Sequence, residues 1–307
     1  MSKTLAGFMA LGGCLLLAPP AWGQLGGLTS GYVYESTTRE LRPMRGAAGM
    51  AHLGDALVKD ADSASVSNDG TLAAVARAGK VTLVRGFDAE QPTSVELAEE
   101  PGNVLFAWSG RDLAAVFPAS RKAMIWRGVD ASSDGVTLVN LTSVEGDIRQ
   151  VLLDSEGLVL AANGGLYLSR RGETSRIQTL AEPSAMILAG NDLYVADQGA
   201  GQVLQIRNYG GKAEALSFAA IGQPVGLQMA GRNLLVASAQ TRTVEAFDVA
   251  TKARTRSLEL DFLPTRMETL GGRSLALLNQ GSADEPLYVL DAKDSLHVYF
   301  VPSGRNQ

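Results

Sequence analysis

Glu35, Asn163, Asp197 and Asn279 each stand where a short apolar segment gives way to a polar loop. Carboxylate and amide oxygens drawn from separate segments are what a hard cation such as calcium requires, since it takes six or more oxygen ligands. Side-chain amides follow comparable segments at Gln198, Gln240 and Gln280, and Arg121, Arg149 and Arg266 lie in or beside similar loops. Those guanidinium groups could hold an anionic group through paired hydrogen bonds. Polar residues also end strands for an ordinary reason, because loops must solvate their backbone, and that role outweighs cation binding for this set. A rim of amides and arginines with few carboxylates suits a carbohydrate, a peptide or a protein segment better than a metal. No cofactor is therefore expected.

Other chemistries lack their residues. The two histidines are His52, in the irregular stretch from Gly46 to Asp62, and His297, in the last apolar segment beside Val298, Tyr299 and Phe300. Neither is placed to converge with acid or base partners, so no catalytic residue is assigned. Gly199-Ala200-Gly201 sits in a strand-to-strand turn with no helix behind it, so no helix N-terminus is available for a phosphate. The formal charge is −5, and the basic residues are scattered with no cationic stripe, which argues against nucleic acid as a partner.

Residues 1–23 read as a targeting segment. Lys3 supplies the positive start, Leu5 to Ala18 is uncharged and apolar, Pro19-Pro20 interrupts it, and Ala21-Trp22-Gly23 offers small residues for cleavage before Gln24. The apolar run is shorter than the ~20 residues a membrane span needs. Leu11-Gly12-Gly13-Cys14 is the lesser alternative, a lipoprotein acylated at Cys14, although the apolar run continues past that residue. Cys14 is the only cysteine, so a chain cleaved before Gln24 has no disulfide, reactive thiol or cysteine-bound metal. No later stretch reaches membrane length. The expectation is an extracytoplasmic protein, periplasmic or secreted, with one domain over residues 24–307 that acts as a monomer.

The elements that must position the polar strand ends recur. A turn glycine precedes an apolar strand at Gly70, Gly110, Gly157, Gly190, Gly231 and Gly272, at spacings of 33 to 47 residues. The strands that follow include Asp112 to Phe117, Asp192 to Asp197 and Asn233 to Ser238. Third strands are expected at Val203 to Arg207, Val244 to Asp248 and Leu287 to Asp291. Pro101, Pro183, Pro224 and Pro264 stand just before first strands, where a missing N–H is tolerated. Strand-built repeats of this size predict an all-β propeller with one blade of about four strands per repeat. Residues 24–307 hold about seven periods.

The first repeat is degenerate. Gly31 lies in phase, Tyr32-Val33-Tyr34-Glu35 stands near where Leu193-Tyr194-Val195-Ala196 stands later, and an innermost strand is sought between Leu25 and Thr29 or elsewhere. Six blades with an N-terminal hairpin laid against the ring are the alternative. Trp108 and Trp126 flank strands of one repeat and are expected to fill the wedge between blades.

The stretch Asn191-Asp192-Leu193-Tyr194-Val195-Ala196-Asp197-Gln198-Gly199 through Ile206 resembles the repeat phrase of secreted bacterial NHL/YVTN-like propellers. The phrase's asparagine is replaced by Ala200 and its Arg-Ile by Gln202-Val203. The resemblance implies a propeller, and propellers host unrelated activities. Lactonases of similar architecture hold a divalent cation with Glu, Asn and Asp from different blades, which would assign Glu35, Asn163, Asp197 and Asn279 to a metal-dependent hydrolase or lyase at the channel mouth. The residues favour the other reading, a non-catalytic module whose channel-side loops bind a protein, a peptide or an envelope glycan.

Overall fold

Segments such as Leu193-Tyr194-Val195-Ala196 combine β-branched, aromatic and small residues between turn signals, a composition that fits a pleated, packed surface. The computed structural model describes residues 29–47, 49–129, 135–271, 274–280 and 285–302, and every regular element there is a β-strand. The targeting segment with Cys14, and the turn read at Gly272, lie outside the described residues.

Among the described residues, twenty-seven strands form seven antiparallel sheets, each built from strands consecutive in the chain. Blade one holds β1 (Thr29–Glu35), β2 (Glu40–Arg45) and β3 (His52–Leu53). Blade two holds β4 (Ser63–Val66), β5 (Leu72–Arg77), β6 (Lys80–Arg85) and β7 (Thr93–Glu99). Blade three follows with β8 (Leu105–Ser109), β9 (Asp112–Phe117), β10 (Lys122–Trp126) and β11 (Val136–Asn140). Blade four comprises β12 (Ile148–Leu153), β13 (Leu158–Ala162), β14 (Gly165–Arg170) and β15 (Glu173–Gln178). In blade five are β16 (Pro183–Ala189), β17 (Asp192–Asp197), β18 (Gln202–Arg207) and β19 (Glu214–Ala220). Blade six has β20 (Pro224–Ala230), β21 (Asn233–Ser238), β22 (Thr243–Asp248) and β23 (Arg254–Glu259). Blade seven ends the described chain with β24 (Glu268–Leu270), β25 (Leu275–Leu277), β26 (Leu287–Asp291) and β27 (His297–Val301). The chain is a seven-bladed β-propeller.

In blades two to seven the first strand is innermost and the fourth outermost. The turns into the second strands use the expected glycines, with φ of 72° at Gly70, 59° at Gly110, 63° at Gly190 and 59° at Gly231. Second strands are buried along nearly their whole length, because each is covered by both neighbouring blades. Outermost strands such as β23 and β15 are mostly exposed and polar.

Among the described residues the core is divided into seven apolar clusters, one in each wedge between blades. The closing wedge packs Val33, Met44 and Leu53 of blade one against Leu270, Leu277, Leu287 and Val289 of blade seven. Leu41, Val58 and Ala61 pack on the other side against Ala73, Val75 and Phe87 of blade two. The N-terminal hairpin is therefore a blade of the ring and not an appendage, which settles the count at seven.

The register of blade one differs from the sequence reading. The turn joining β1 to β2 ends at Arg39 with φ 59°, as the turns between second and third strands end at Arg121 (52°), Gly201 (63°) and Arg242 (52°). Ala61 N–H donates to the Arg39 carbonyl at 3.0 Å, as Ile221 does to Gly201 at 3.0 Å and Leu260 to Arg242 at 2.8 Å. β1 thus occupies the second-strand position, with Glu35 matching Asp197 and Tyr32 matching Tyr194, one residue later than the sequence pattern implied. Gly31 lies inside β1 and is not the turn glycine. A Cβ there would come within 3.0 Å of the Leu270 Cβ and the Gly271 nitrogen, so its role is close approach to blade seven. Thr29 belongs to β1, and Leu25 to Leu28, the expected source of an innermost strand, lie outside the described residues. His52 is in a short outer strand where a loop was expected, and it is exposed. His297 opens the outermost strand β27, also exposed.

Leu277 is fully buried in the closing wedge. Leu277→Ala is expected to cost about 3 kcal/mol, the usual scale for a buried leucine that leaves a cavity, measured by urea unfolding. Ending the chain before Thr265 would remove blade seven and expose the facing surfaces of its two neighbours. Such a protein should lose cooperative melting, and a truncated monomer that melts cooperatively would show that closure is dispensable.

Candidate functional site

All second strands run in one direction around the ring, so their ends share one face with the crossovers that lead from each outermost strand to the next innermost one. This crossover face carries every polar residue singled out from the sequence. What those residues touch decides what they can do.

Asp197 ends β17 and is 2% exposed. One carboxylate oxygen accepts from Ala181 N–H at 2.9 Å and the other from Glu182 N–H at 2.8 Å. Gln198 N–H donates to the Glu182 carbonyl at 2.8 Å, which fastens the same crossover a third time. Asp197 is thus a clamp on the segment entering its own blade. In blade six the matching residue is Ser238, which donates to the Gly222 carbonyl at 2.7 Å and accepts from Thr241 N–H at 3.2 Å. Sequence reading passed over Ser238. Its place in the repeat, where Asp197 stands in blade five, was the available signal.

Asn279 is likewise turned onto its own blade, accepting from Tyr288 N–H at 2.8 Å and donating to the Pro286 carbonyl at 2.9 Å. Arg266 donates from Nε to the Asn279 carbonyl at 3.1 Å and pairs with Glu268 at 2.8 Å. Glu35 is buried, accepts from the Thr38 hydroxyl at 3.4 Å and lies 3.9 Å from Arg42 Nε. Asn163 donates its backbone N–H to the Asp147 carbonyl at 3.0 Å, while its buried Oδ1 has no hydrogen-bond partner among the described residues. Three of the four oxygen-bearing groups are therefore engaged within their own blade. No cluster of three or more His, Cys, Asp or Glu side chains that could hold a metal occurs among the described residues.

The remaining polar groups differ in their freedom. Arg121 donates to the Val144 carbonyl at 3.0 Å and is half-buried. Arg149 is exposed, 3.8 Å from Asp147. Gln240 is exposed at the loop tip, with its carbonyl end lying over Gly222. Gln280 is exposed and accepts from the Ser36 hydroxyl at 3.5 Å, so the loops of blades seven and one meet across the closure. Trp126 is buried in the wedge between blades two and three, and Trp108 packs half-buried against the same cluster.

The opposite face is also tied by carboxylates. Asp154 accepts from Glu156 N–H at 2.9 Å and Gly157 N–H at 3.0 Å, and the Tyr209 hydroxyl of blade five donates to it. Burial pushes the Asp154 carboxyl above its usual range, with the backbone N–H groups opposing. Asp69 and Asp248 lie below theirs, Asp69 chiefly through the Ser67 and Thr71 hydroxyls and Asp248 chiefly through the Thr251 backbone N–H.

No protein-family model matches the sequence, and no curated protein matches it. Solved structures match by shape. A functionally unknown protein from Desulfotomaculum acetoxidans superposes with a TM-score of 0.60 at 12% identity, over 90% of this chain and 100% of that one. Virginiamycin B lyase from Staphylococcus aureus gives 0.57 at 13%, over 77% and 82%. A chain of a nidogen–laminin complex gives 0.52 at 12%, over 75% and 94%. The likeness is one of fold. These neighbours include a lyase and a protein-complex component, so it fixes no activity.

Asp197→Ala would take the acceptor away from the Ala181 and Glu182 N–H groups and should destabilise the protein by about 2 kcal/mol, while Asp197→Asn, which keeps one acceptor, should cost less. A raised folded-state pKa means that Asp154 favours the folded state when protonated. Its contribution is present below the ordinary value of 3.8 and is lost as pH rises through the folded value. Asp154→Asn should remove that loss, so the stability difference between variant and wild type should move toward the variant between acidic and neutral pH in urea melts.

Proposed function

We propose that this protein is an exported, non-catalytic propeller that binds a protein, a peptide or an envelope glycan through the loops of its crossover face. One observation carries the reading: both carboxylate oxygens of Asp197 are occupied by backbone N–H groups of its own crossover. The face is thereby left with the exposed amides of Gln240 and Gln280 and the guanidinium of Arg149, with Gln198 half-buried at its edge, on a scaffold stiffened by the same clamps. Such groups hydrogen-bond sugar hydroxyls and peptide backbones and can fork onto an anionic group. Export rests on residues 1–23.

A competing reading has a specific observation behind it. Asn163 keeps a buried amide oxygen with no partner among the described residues, and Glu35 is a buried carboxylate on the same face. A hydrolase or lyase at the channel mouth would begin from those two.

The test joins three measurements on the exported protein. Its mature mass should place the first residue at Gln24, whereas an acylated Cys14 would tie it to a membrane. A triple variant, Gln198→Ala, Gln240→Ala and Arg149→Ala, should keep its melting temperature and lose at least about tenfold in affinity for a glycan or peptide captured from envelope fractions. Undiminished binding would move the site off this face. Calcium at millimolar concentration should leave the melting temperature unchanged. A calcium-dependent rise, with lactone or ester turnover that Asn163→Ala abolishes, would replace the binding reading by the hydrolase one.

A further inference from the structure

In several blades the turn that follows the third strand sends one apolar side chain back into the wedge shared with the preceding blade. Phe87 enters the wedge between blades one and two, where its ring meets Tyr32 edge-on at 4.8 Å. Val129 enters the next wedge, Tyr209 the one between blades four and five, and Val249 the one between blades five and six. The backbone anchors are shared: Val129 N–H donates to the Arg111 carbonyl at 3.0 Å and Val249 N–H to the Arg232 carbonyl at 3.1 Å. Blade seven makes the same bond, from Ala292 N–H to the Ser274 carbonyl at 2.8 Å, but the side chain delivered is a methyl group.

The space left is a half-open cleft of about 310 Å³ between blades six and seven, on the face opposite the crossovers. Leu235, Ala246, Ala292 and Leu296 give it an apolar floor, and Arg256 and Lys293 stand at its rim. Arg256 is held there by a 3.1 Å hydrogen bond to the Asp294 carbonyl. Neither cation has a carboxylate within ion-pair distance among the described residues. Asp248 is paired with Arg232, the Asp291 carboxylate accepts from Lys293 N–H at 2.9 Å, and Asp294 forms no ion pair with either. Asn233 and Ser274 supply polar edges between floor and rim.

We propose that this cleft is a binding site for a small monocarboxylate amphiphile, a medium-chain fatty acid or an aromatic acid of similar size. An apolar body would occupy the place that Phe87, Tyr209 and the valines fill elsewhere, and the carboxylate would meet Arg256 and Lys293. The volume matches a ligand of that class, since small-molecule sites start near 300 Å³ and join apolar walls to a few convergent polar groups. A bidentate guanidinium beside an ammonium is the donor set a carboxylate prefers. The site lies on the other face from the loops discussed above and does not depend on their function.

Octanoate is the probe, titrated calorimetrically into the mature protein at low and high salt. Saturable binding is expected, and it should weaken as salt screens the two cations. Ala292→Phe, which restores the missing plug, should abolish binding and leave the melting temperature unchanged or raised. Arg256→Gln combined with Lys293→Gln changes only exposed groups and should weaken binding at least about tenfold, with the salt dependence largely gone. Absence of saturable binding to the wild type would overturn the proposal, as would unchanged affinity in the double variant. If Ala292→Phe melts early, the double variant decides the matter by itself.

Discussion

Packing of each second strand between two neighbouring blades is the constraint on which the rest of the structure depends. β9, β13, β17 and β21 are buried on both faces. They therefore read as almost continuous apolar runs, unlike the alternating pattern of a sheet with one wet side. Small residues let the blades approach: Ala74, Ala161, Ala196 and Ala237 are all fully buried at comparable places, each facing the following blade. Leucine, valine and aromatic side chains then fill the widening wedge. No blade is completed by a strand from the other end of the described chain, and closure rests on side-chain packing between blades one and seven. That wedge joins residues more than two hundred positions apart, so the loop-closure entropy of nearly the whole ring is offset there and in the six wedges that support it.

The polar residues serve this packing before they serve anything else. A crossover must carry the chain from the outer edge of one blade to the channel, and its backbone N–H groups would go unsatisfied if nothing met them. Asp197 meets two of them from the end of its second strand, Ser238 fastens its crossover by donating to the Gly222 carbonyl, and Asp62 accepts from Ala78 N–H at 2.6 Å and pairs with Arg39 to tie blade one to blade two. On the opposite face Asp154, Asp69 and Asp248 do the same for the tight turns. Carboxylates used in this way are poor metal ligands, since their lone pairs are already directed at the backbone. Binding then falls to groups left over at loop tips, which is how a rigid scaffold with free loops commonly divides its labour.

Much of this was legible in the sequence, because the relevant signals are local. Glycine before an apolar run, proline at the entry to a blade and a spacing near forty residues give strands, turns and a ring with no knowledge of tertiary contacts. Blade one shows where local reading slips. Gly31 imitates a turn glycine by phase, yet it is a glycine because blade seven's backbone passes beside it. The correct register follows from hydrogen bonds between Arg39 and Ala61, a pair no sequence pattern links. His52 carries no strand signal in its own sequence for the same reason, since its short strand exists only through pairing with β2.

The sequence by itself determined the repeat, the all-β class and the face on which the strand-end polar residues gather, since strand direction in a propeller is set by the order of the strands. Tertiary structure decided which polar atoms are occupied and which wedge is left open. Asp197 and Gln198 are neighbours in the chain, yet one is sealed under a crossover and the other stands at its edge. Ala292 is an ordinary alanine until Phe87, Val129, Tyr209 and Val249 are seen filling the equivalent space in other wedges. The physical reason is that burial and hydrogen-bond occupancy belong to pairs of surfaces, and in this ring the second surface comes from the adjacent blade.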